Sequence, residues 1–173
     1  GRGFILMCGI LAYCSAGQAY DFIKEGLPKL EYRGYDSWGY SLLNKHGLFR
    51  RVGLGSFSEE KTEGHLNYNV GIGHTRWATH GKPNEKNAHP HSDCSARVFV
   101  VHNGIIENYQ SIKTDLVRLG HKFISETDTE VISHLIEENL KSEKNFKKAF
   151  DLALNRLLGA YAIAVIDGLN PKN

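Results

Sequence analysis

Val98-Phe99-Val100-Val101 is an unbroken apolar run, followed at once by His102-Asn103-Gly104. A half-exposed strand alternates apolar and polar residues, whereas a continuous short run marks a strand buried on both faces. Such a strand needs a packed layer on each side, so the chain must fold in layers around it. Candidate layers are legible on either side. Ile10 to Tyr13 reads as a buried strand. Ala19 to Leu30 carries Phe22, Ile23, Leu27 and Leu30 at helical spacing, with Pro28 near its end. Trp38 to Leu43 and Leu48 to Val52 read as a hairpin around Asn44-Lys45-His46-Gly47, and Asn69 to Trp77 as a further strand before a His-rich loop, 78–95. Downstream, helices are expected over Asn108 to Leu119 (closed by Gly120), Thr127 to Leu140 and Asn145 to Leu158 (closed by Gly159), with a last strand over Ala160 to Ile166. Strands precede and follow the helices without strict alternation, which favours an α+β layered fold over a doubly wound one.

At 173 residues the chain is expected to form one domain. Its 21 Lys+Arg balance 19 Asp+Glu, and no basic stripe with interleaved aromatics appears, so nucleic acid is not an expected partner. No stretch reaches the roughly 18 apolar residues of a membrane span. Three cysteines, Cys8, Cys14 and Cys94, make neither an even disulfide set nor a zinc pattern, which fits a reducing, cytoplasmic setting. Arg2 and the apolar residues after Phe4 imitate a secretory or lipoprotein leader only loosely. Met7 is taken as the natural start, with residues 1–6 as an extension and 7–173 as the domain.

Several segments carry chemistry. Cys8 would be nucleophile and base together if it were the first residue, because its own α-amino group titrates near 7.7–8.0. Taken alone, it reads as a buried structural thiol. Arg76, in His74-Thr75-Arg76-Trp77-Ala78-Thr79-His80-Gly81, offers a fork for a carboxylate, or an ordinary salt bridge. His74, His80, His89 and His91 match no stock zinc spacing and read as hydrogen-bonded loop histidines, so no metal and no cofactor is expected. Asn103-Gly104 can present two donors to an oxyanion, although the dipeptide alone is a turn signal. Thr127 and Glu130 read as a capping box, which leaves Asp128 to pair with an ammonium group. A thiol, an oxyanion pair, an Arg and an Asp together fit an α-amino acid with a side-chain amide, which is glutamine or asparagine.

Met7-Cys8-Gly9-Ile10, Glu31-Tyr32-Arg33-Gly34-Tyr35-Asp36-Ser37, His74 to Gly81, Asn87-Ala88-His89-Pro90-His91, His102 to Asn108 and Ser125 to Val131 resemble the glutaminase domain of the glucosamine-6-phosphate synthases, or glutamine–fructose-6-phosphate aminotransferases. The resemblance runs from Met7 to about Asp167. It implies an N-terminal-nucleophile hydrolase fold, a four-layer αββα sandwich. It also implies Cys8 as nucleophile with its freed amine as base, Asn103 and Gly104 as the oxyanion hole, and Arg76 and Asp128 on the glutamine carboxylate and amino groups. Trp77, Thr79 and His80 would shape the pocket, with His89 a weaker site residue and Arg33 a support near Cys8. Amidotransferases that form phosphoribosylamine or asparagine share the Cys-Gly-Ile start and the Asn-Gly pair but lack the Thr-Arg-Trp-Ala-Thr-His run. They are the alternative within the class, and a non-catalytic glutamine-binding fragment is the alternative outside it. Trp38 stands where the family has a small residue. The family's later strands and its sugar-phosphate isomerase domains, which bind fructose 6-phosphate, are expected beyond Asn173. The domain is therefore expected to be C-terminally incomplete, and the full enzyme to be a homo-oligomer.

Overall fold

The computed structural model describes residues 8–16, 18–60, 67–77 and 83–170. Two antiparallel sheets lie face to face between helices. Strands β1 (Gly9–Cys14), β2 (Ser37–Asn44), β3 (Gly47–Leu54) and β4 (Val70–Arg76) form one sheet in the order β1-β4-β2-β3. Strands β5 (His91–Ser92), β6 (Val98–Gly104) and β7 (Tyr161–Asp167) form the other, in the order β5-β6-β7. Helix α1 (Ala19–Leu30) covers the outer face of the first sheet. Helices α2 (Tyr109–Arg118), α3 (Glu130–Leu140) and α4 (Phe146–Leu154) pack on the second sheet's side.

Side-chain alternation builds these layers. In β6, Val98 and Val100 point toward Ile132, Leu135 and Ile136 of α3. Phe99 and Val101 point the other way, onto Leu43, Val70 and Ile72 of the first sheet. Full burial of one such side chain is worth roughly 1.5–3 kcal/mol, so a one-residue slip of β6 would exchange both cores at once. β4 repeats the logic. Val70 and Ile72 face the inter-sheet core, and the residues alternating with them on the opposite face are Gly71 and Gly73, which leave room for Ala19, Ile23 and Leu27 of α1. The layered α+β sandwich expected from the sequence is the one observed.

Boundaries and local details depart from expectation at four places. Helix α3 begins at Glu130 rather than Thr127, and its N-cap Thr129 makes no side-chain cap bond. The Thr127 hydroxyl pairs instead with Ser125 and with His91 Nε2 at 3.0 Å, while the Glu130 carboxylate accepts from the backbone N–H groups of Ile124 and Ser125. The capping box is thus displaced toward the preceding loop. Helix α4 ends at Leu154 because Asn108 takes over the following backbone: its Nδ2 donates to the Arg156 carbonyl, and its Oδ1 accepts from the Leu158 N–H. Asn103-Gly104 ends β6 instead of making a hairpin turn, in register with Ala162 and Tyr161. Strand β1, whose residues Ile10 to Tyr13 read as buried, is only partly so, with Ala12 and the terminal Cys14 exposed.

Trp38 is accommodated by its partner. It lies opposite Gly53 in the β2–β3 ladder, and a Cβ on Gly53 would stand 2.3 Å from the indole ring. The ring fills that space, 6.3 Å from Tyr40 in a stacked arrangement and 4.9 Å edge-on to Phe57.

Candidate active site

The inter-sheet core becomes polar at one end. Beyond Val70 and Ile72, the next residues on the same face of β4 are His74 and Arg76; beyond Phe99 and Val101, the next on β6 is Asn103. Cys8 enters this layer from the start of β1, since Gly9 pairs with Thr75 and so sets Cys8 beside the Arg76–Trp77 end of β4. Only a glycine fits at position 9, where a Cβ would lie 2.7 Å from Leu30 Cβ and 2.8 Å from Thr75 Oγ1. The motif around Gly34 acts in the same way from the other side. A Cβ there would meet the Trp77 backbone nitrogen at 2.8 Å, and the Asp36 N–H donates to the Arg76 carbonyl.

One cleft is lined by Cys8, His74, Arg76, Trp77, Asn103 and Gly104 from the two sheets, together with His89, His102 and residues Thr127 to Thr129. The Cys8 sulfur receives the Trp77 N–H at 3.2 Å, and burial pushes its thiol pKa up against the pull of that bond and of the Arg76 charge. Asn103 Nδ2 donates to the Cys8 backbone carbonyl at 2.7 Å, and its Oδ1 lies 2.9 Å from His74 Nε2. Burial lowers the His74 pKa to about 3, so this imidazole is neutral at pH 7. With Asn103 Oδ1 as acceptor, the ring proton belongs on Nε2. Gly104 has φ +118°, and a Cβ there would meet the Ala160 carbonyl oxygen at 2.2 Å. Asp128 enters from the loop before α3, its Oδ2 held by the Ile106 N–H at 2.8 Å. Arg76 is 5 % exposed, and its charge acts on Cys8, Asp36 and Asp128.

Of the residues singled out from sequence, Cys8, Arg76, Trp77, Asn103, Gly104 and Asp128 line this cleft together. Thr79 and His80 lie outside the described residues. Arg33 ends a short 3-10 helix, its guanidinium over the Tyr32 ring, and does not line the cleft. His74, His89 and His91 form a buried row, the first two rings stacked and the third edge-on to His89. His74 and His89 rings lie 4.1 Å apart, His89 Nδ1 accepts from the His102 N–H, and His91 meets Thr127. Sequence reading missed Thr129, whose hydroxyl bridges His89 Nε2 and His102 Nδ1 at 3.3 and 2.8 Å. It also missed the orienting role of His74. The available signal for His74 was its i, i+2 spacing from Arg76 on one strand face.

The chain has relatives in both sequence and fold. Residues 74–172 match the family described as the glutamine amidotransferase domain. A glutamine–fructose-6-phosphate aminotransferase (isomerizing) from Pyrococcus horikoshii is 52% identical over 171 residues, 96% of this chain and 28% of that protein. Its counterpart from Helicobacter pylori is 49% identical over 164 residues, 92% of this chain and 27% of that protein. The chain therefore spans under a third of the length of these relatives. Among solved structures, the glutamine phosphoribosylpyrophosphate amidotransferase from B. subtilis, complexed with ADP and GMP, superposes with a TM-score of 0.79 at 26% identity, covering 92% of this chain and 35% of that one. The four-layer α+β sandwich is thus that of the N-terminal-nucleophile amidotransferases. By the match over more than half its length, this chain belongs to the glutamine amidotransferase domain family.

Proposed function

We propose that this chain hydrolyses the side-chain amide of glutamine to glutamate and ammonia, as the ammonia-supplying part of a glutamine–fructose-6-phosphate aminotransferase. The observation that carries the reading is that a thiol, an amide-plus-glycine strand end, a buried guanidinium and an oriented carboxylate converge on one cleft. Arg76 would take the glutamine carboxylate and Asp128 the ammonium group, leaving the side-chain amide directed at Cys8. The Cys8 thiol gives its proton to the free α-amino group of the same residue, and Sγ attacks the amide carbon. Charge then builds on the carbonyl oxygen, where the Asn103 amide and the Gly104 N–H would receive it. The C–N bond breaks, ammonia departs with the proton returned by the amine, and water cleaves the thioester to restore the thiol. Trp77, with Thr79 and His80, would close the pocket around the substrate. No metal or cofactor takes part in these steps.

The identity of the similar proteins favours fructose 6-phosphate over phosphoribosylpyrophosphate as the final acceptor of ammonia: 52% against 26%. The acceptor site and the sugar isomerisation would belong to a sugar-phosphate isomerase portion, and the whole enzyme would be a homo-oligomer. A cytoplasmic setting is supported by three unpaired cysteines, and no described helix is long and apolar enough to cross a membrane.

An amide nitrogen cannot serve as the base, because its lone pair is delocalised into the peptide bond. Ammonia release should therefore be measured for the 173-residue chain and for one that begins at Cys8. A large gain in the second form is expected; equal rates would remove the amine-as-base mechanism.

A further inference from the structure

Away from the cleft, Cys94, His121, His134 and Glu137 converge, with one ligating atom from each within 4.8 Å of the others. They come from three places: the turn between β5 and β6, the loop after α2, and two successive turns of α3. Cys94 Sγ lies 3.8 Å from His121 Nδ1 and 3.6 Å from His134 Nδ1, and the two Nδ1 atoms are 3.3 Å apart. Glu137 Oε2 is 2.9 Å from His121 Nδ1 and 3.3 Å from His134 Nδ1. Zinc bonds of about 2.3 Å to sulfur and about 2.0–2.2 Å to nitrogen and oxygen give a tetrahedron whose edges are about 3.3–3.6 Å. Three of these five separations, 3.6, 3.3 and 3.3 Å, fall within that range, and the other two, 2.9 and 3.8 Å, lie on either side of it.

Each imidazole also has a carboxylate on its far side: His121 Nε2 lies 2.7 Å from Glu138 Oε2, and His134 Nε2 lies 3.4 Å from Glu130 Oε1. That is the carboxylate–histidine arrangement that orients metal-bound imidazoles, with the Nδ1 atoms facing the centre of the quartet. Cys94 as thiolate and Glu137 as carboxylate would balance the charge of a divalent cation.

We propose that Cys94, His121, His134 and Glu137 form a structural zinc site. The sulfur and two imidazoles select a borderline-soft ion over calcium or magnesium. Four protein ligands leave no open position, so the ion is a staple rather than a catalyst. Entry is from the side of Cys94, which is exposed, while both histidines are buried. The staple ties the β5–β6 turn to α3, whose N-terminal flank carries Asp128 and Thr129 into the cleft. The metal binds whether or not Cys8 turns over glutamine.

Cobalt(II) added to the metal-free 173-residue protein is the direct probe. One equivalent should produce tetrahedral visible bands with a thiolate-to-cobalt charge-transfer band, and one equivalent of zinc should displace it. Cys94→Ser removes an exposed side chain, so it should fold and lose the charge-transfer band, while Cys14→Ser keeps it. Zinc should shield Cys94, but not Cys14, from alkylation, and chelation should lower the melting temperature of wild type only. Glu138→Gln should weaken zinc binding about 10- to 100-fold through His121. Absence of stoichiometric binding by wild type would overturn the proposal, as would a charge-transfer band that survives in Cys94→Ser.

Discussion

Asn103 donates from its side-chain amide to the backbone carbonyl of Cys8 at 2.7 Å, although the two residues stand 95 positions apart, one just before β1 of the first sheet and the other in β6 of the second. The neutral His74 ring, 2.9 Å from Asn103 Oδ1, holds the amide the same way round. The Asn103 amide is therefore held at both its nitrogen and its oxygen, as stabilisation of a developing charge beside the proposed nucleophile would require. In the ground state the glutamine carbonyl is neutral, so Asn103 should matter little for binding and much for turnover. Asn103→Ala, in a form with Cys8 at the N-terminus, should lose about 100- to 1000-fold in kcat, with glutamine affinity by calorimetry nearly unchanged. Collapse of binding with normal residual turnover would make Asn103 a ground-state contact instead.

Arg76 should behave in the opposite way. It is buried at the end of β4, where burial lowers its pKa against the opposing pull of Cys8, Asp36 and Asp128. Lysine keeps the charge but cannot present two parallel N–H groups to a carboxylate. Arg76→Lys should weaken glutamine binding by about 1.5–3 kcal/mol, the range for a charge-assisted hydrogen bond. Unchanged affinity in both Arg76→Lys and Arg76→Ala would assign the carboxylate to another cation.

Recognition and mere access predict different labelling patterns. Cys14 and Cys94 are both exposed, whereas Cys8 is half-buried and its thiol is pushed up by burial. A simple alkylating agent at neutral pH should therefore modify Cys14 ahead of Cys8. A glutamine analogue with an electrophilic side chain, given to a chain beginning at Cys8, should reverse that order. Peptide mapping that finds the analogue chiefly on Cys94 would point to a different nucleophile.

How much of this was legible in the sequence depended on the range of the interaction. Helix α1 runs from Ala19 to Leu30 as its apolar spacing requires, because one face of a helix is a local property. The double burial of Val98 to Val101 was legible for the same reason. The beginning of α3 was not, because Glu130 and Thr127 had long-range and loop partners, His91 among them, that competed with the local cap. The hydrogen bonds that orient Asn103 join β6 to β1 and β4, and no spacing along one strand announces them. The Cys94 quartet is the extreme case. Its members are 27, 13 and 3 residues apart in turn, which matches no stock zinc pattern, and only the docking of α3 against the β5–β6 turn brings them together.

The buried histidines that pack behind the cleft should make the fold acid-sensitive. Burial lowers the pKa of His74 to about 3 and that of His89 well below its ordinary 6.5, with neighbouring positive charge acting in the same direction on both. In the folded chain these rings stay neutral, while in the unfolded chain they take up protons below about pH 6.5. The unfolded state then binds more protons, so stability falls as pH falls from about 6.5 toward 3, by up to about 1.4 kcal/mol per pH unit for each ring. Well above pH 6.5 the two contribute no slope. Between pH 7.5 and 5.5 the pair should cost on the order of 2–3 kcal/mol. Burial lowers the pKa of His91 to about 3 as well, so a third ring adds to the wild-type difference. Urea unfolding of the metal-chelated protein at pH 7.5 and 5.5 should show a difference smaller by about 1.4 kcal/mol in His89→Gln, one ring's share, whatever the absolute stability of that variant. An identical pH response in wild type and His89→Gln would mean that the His89 ring is protonated equally in the folded and unfolded chains, against its burial beside His74 and His91.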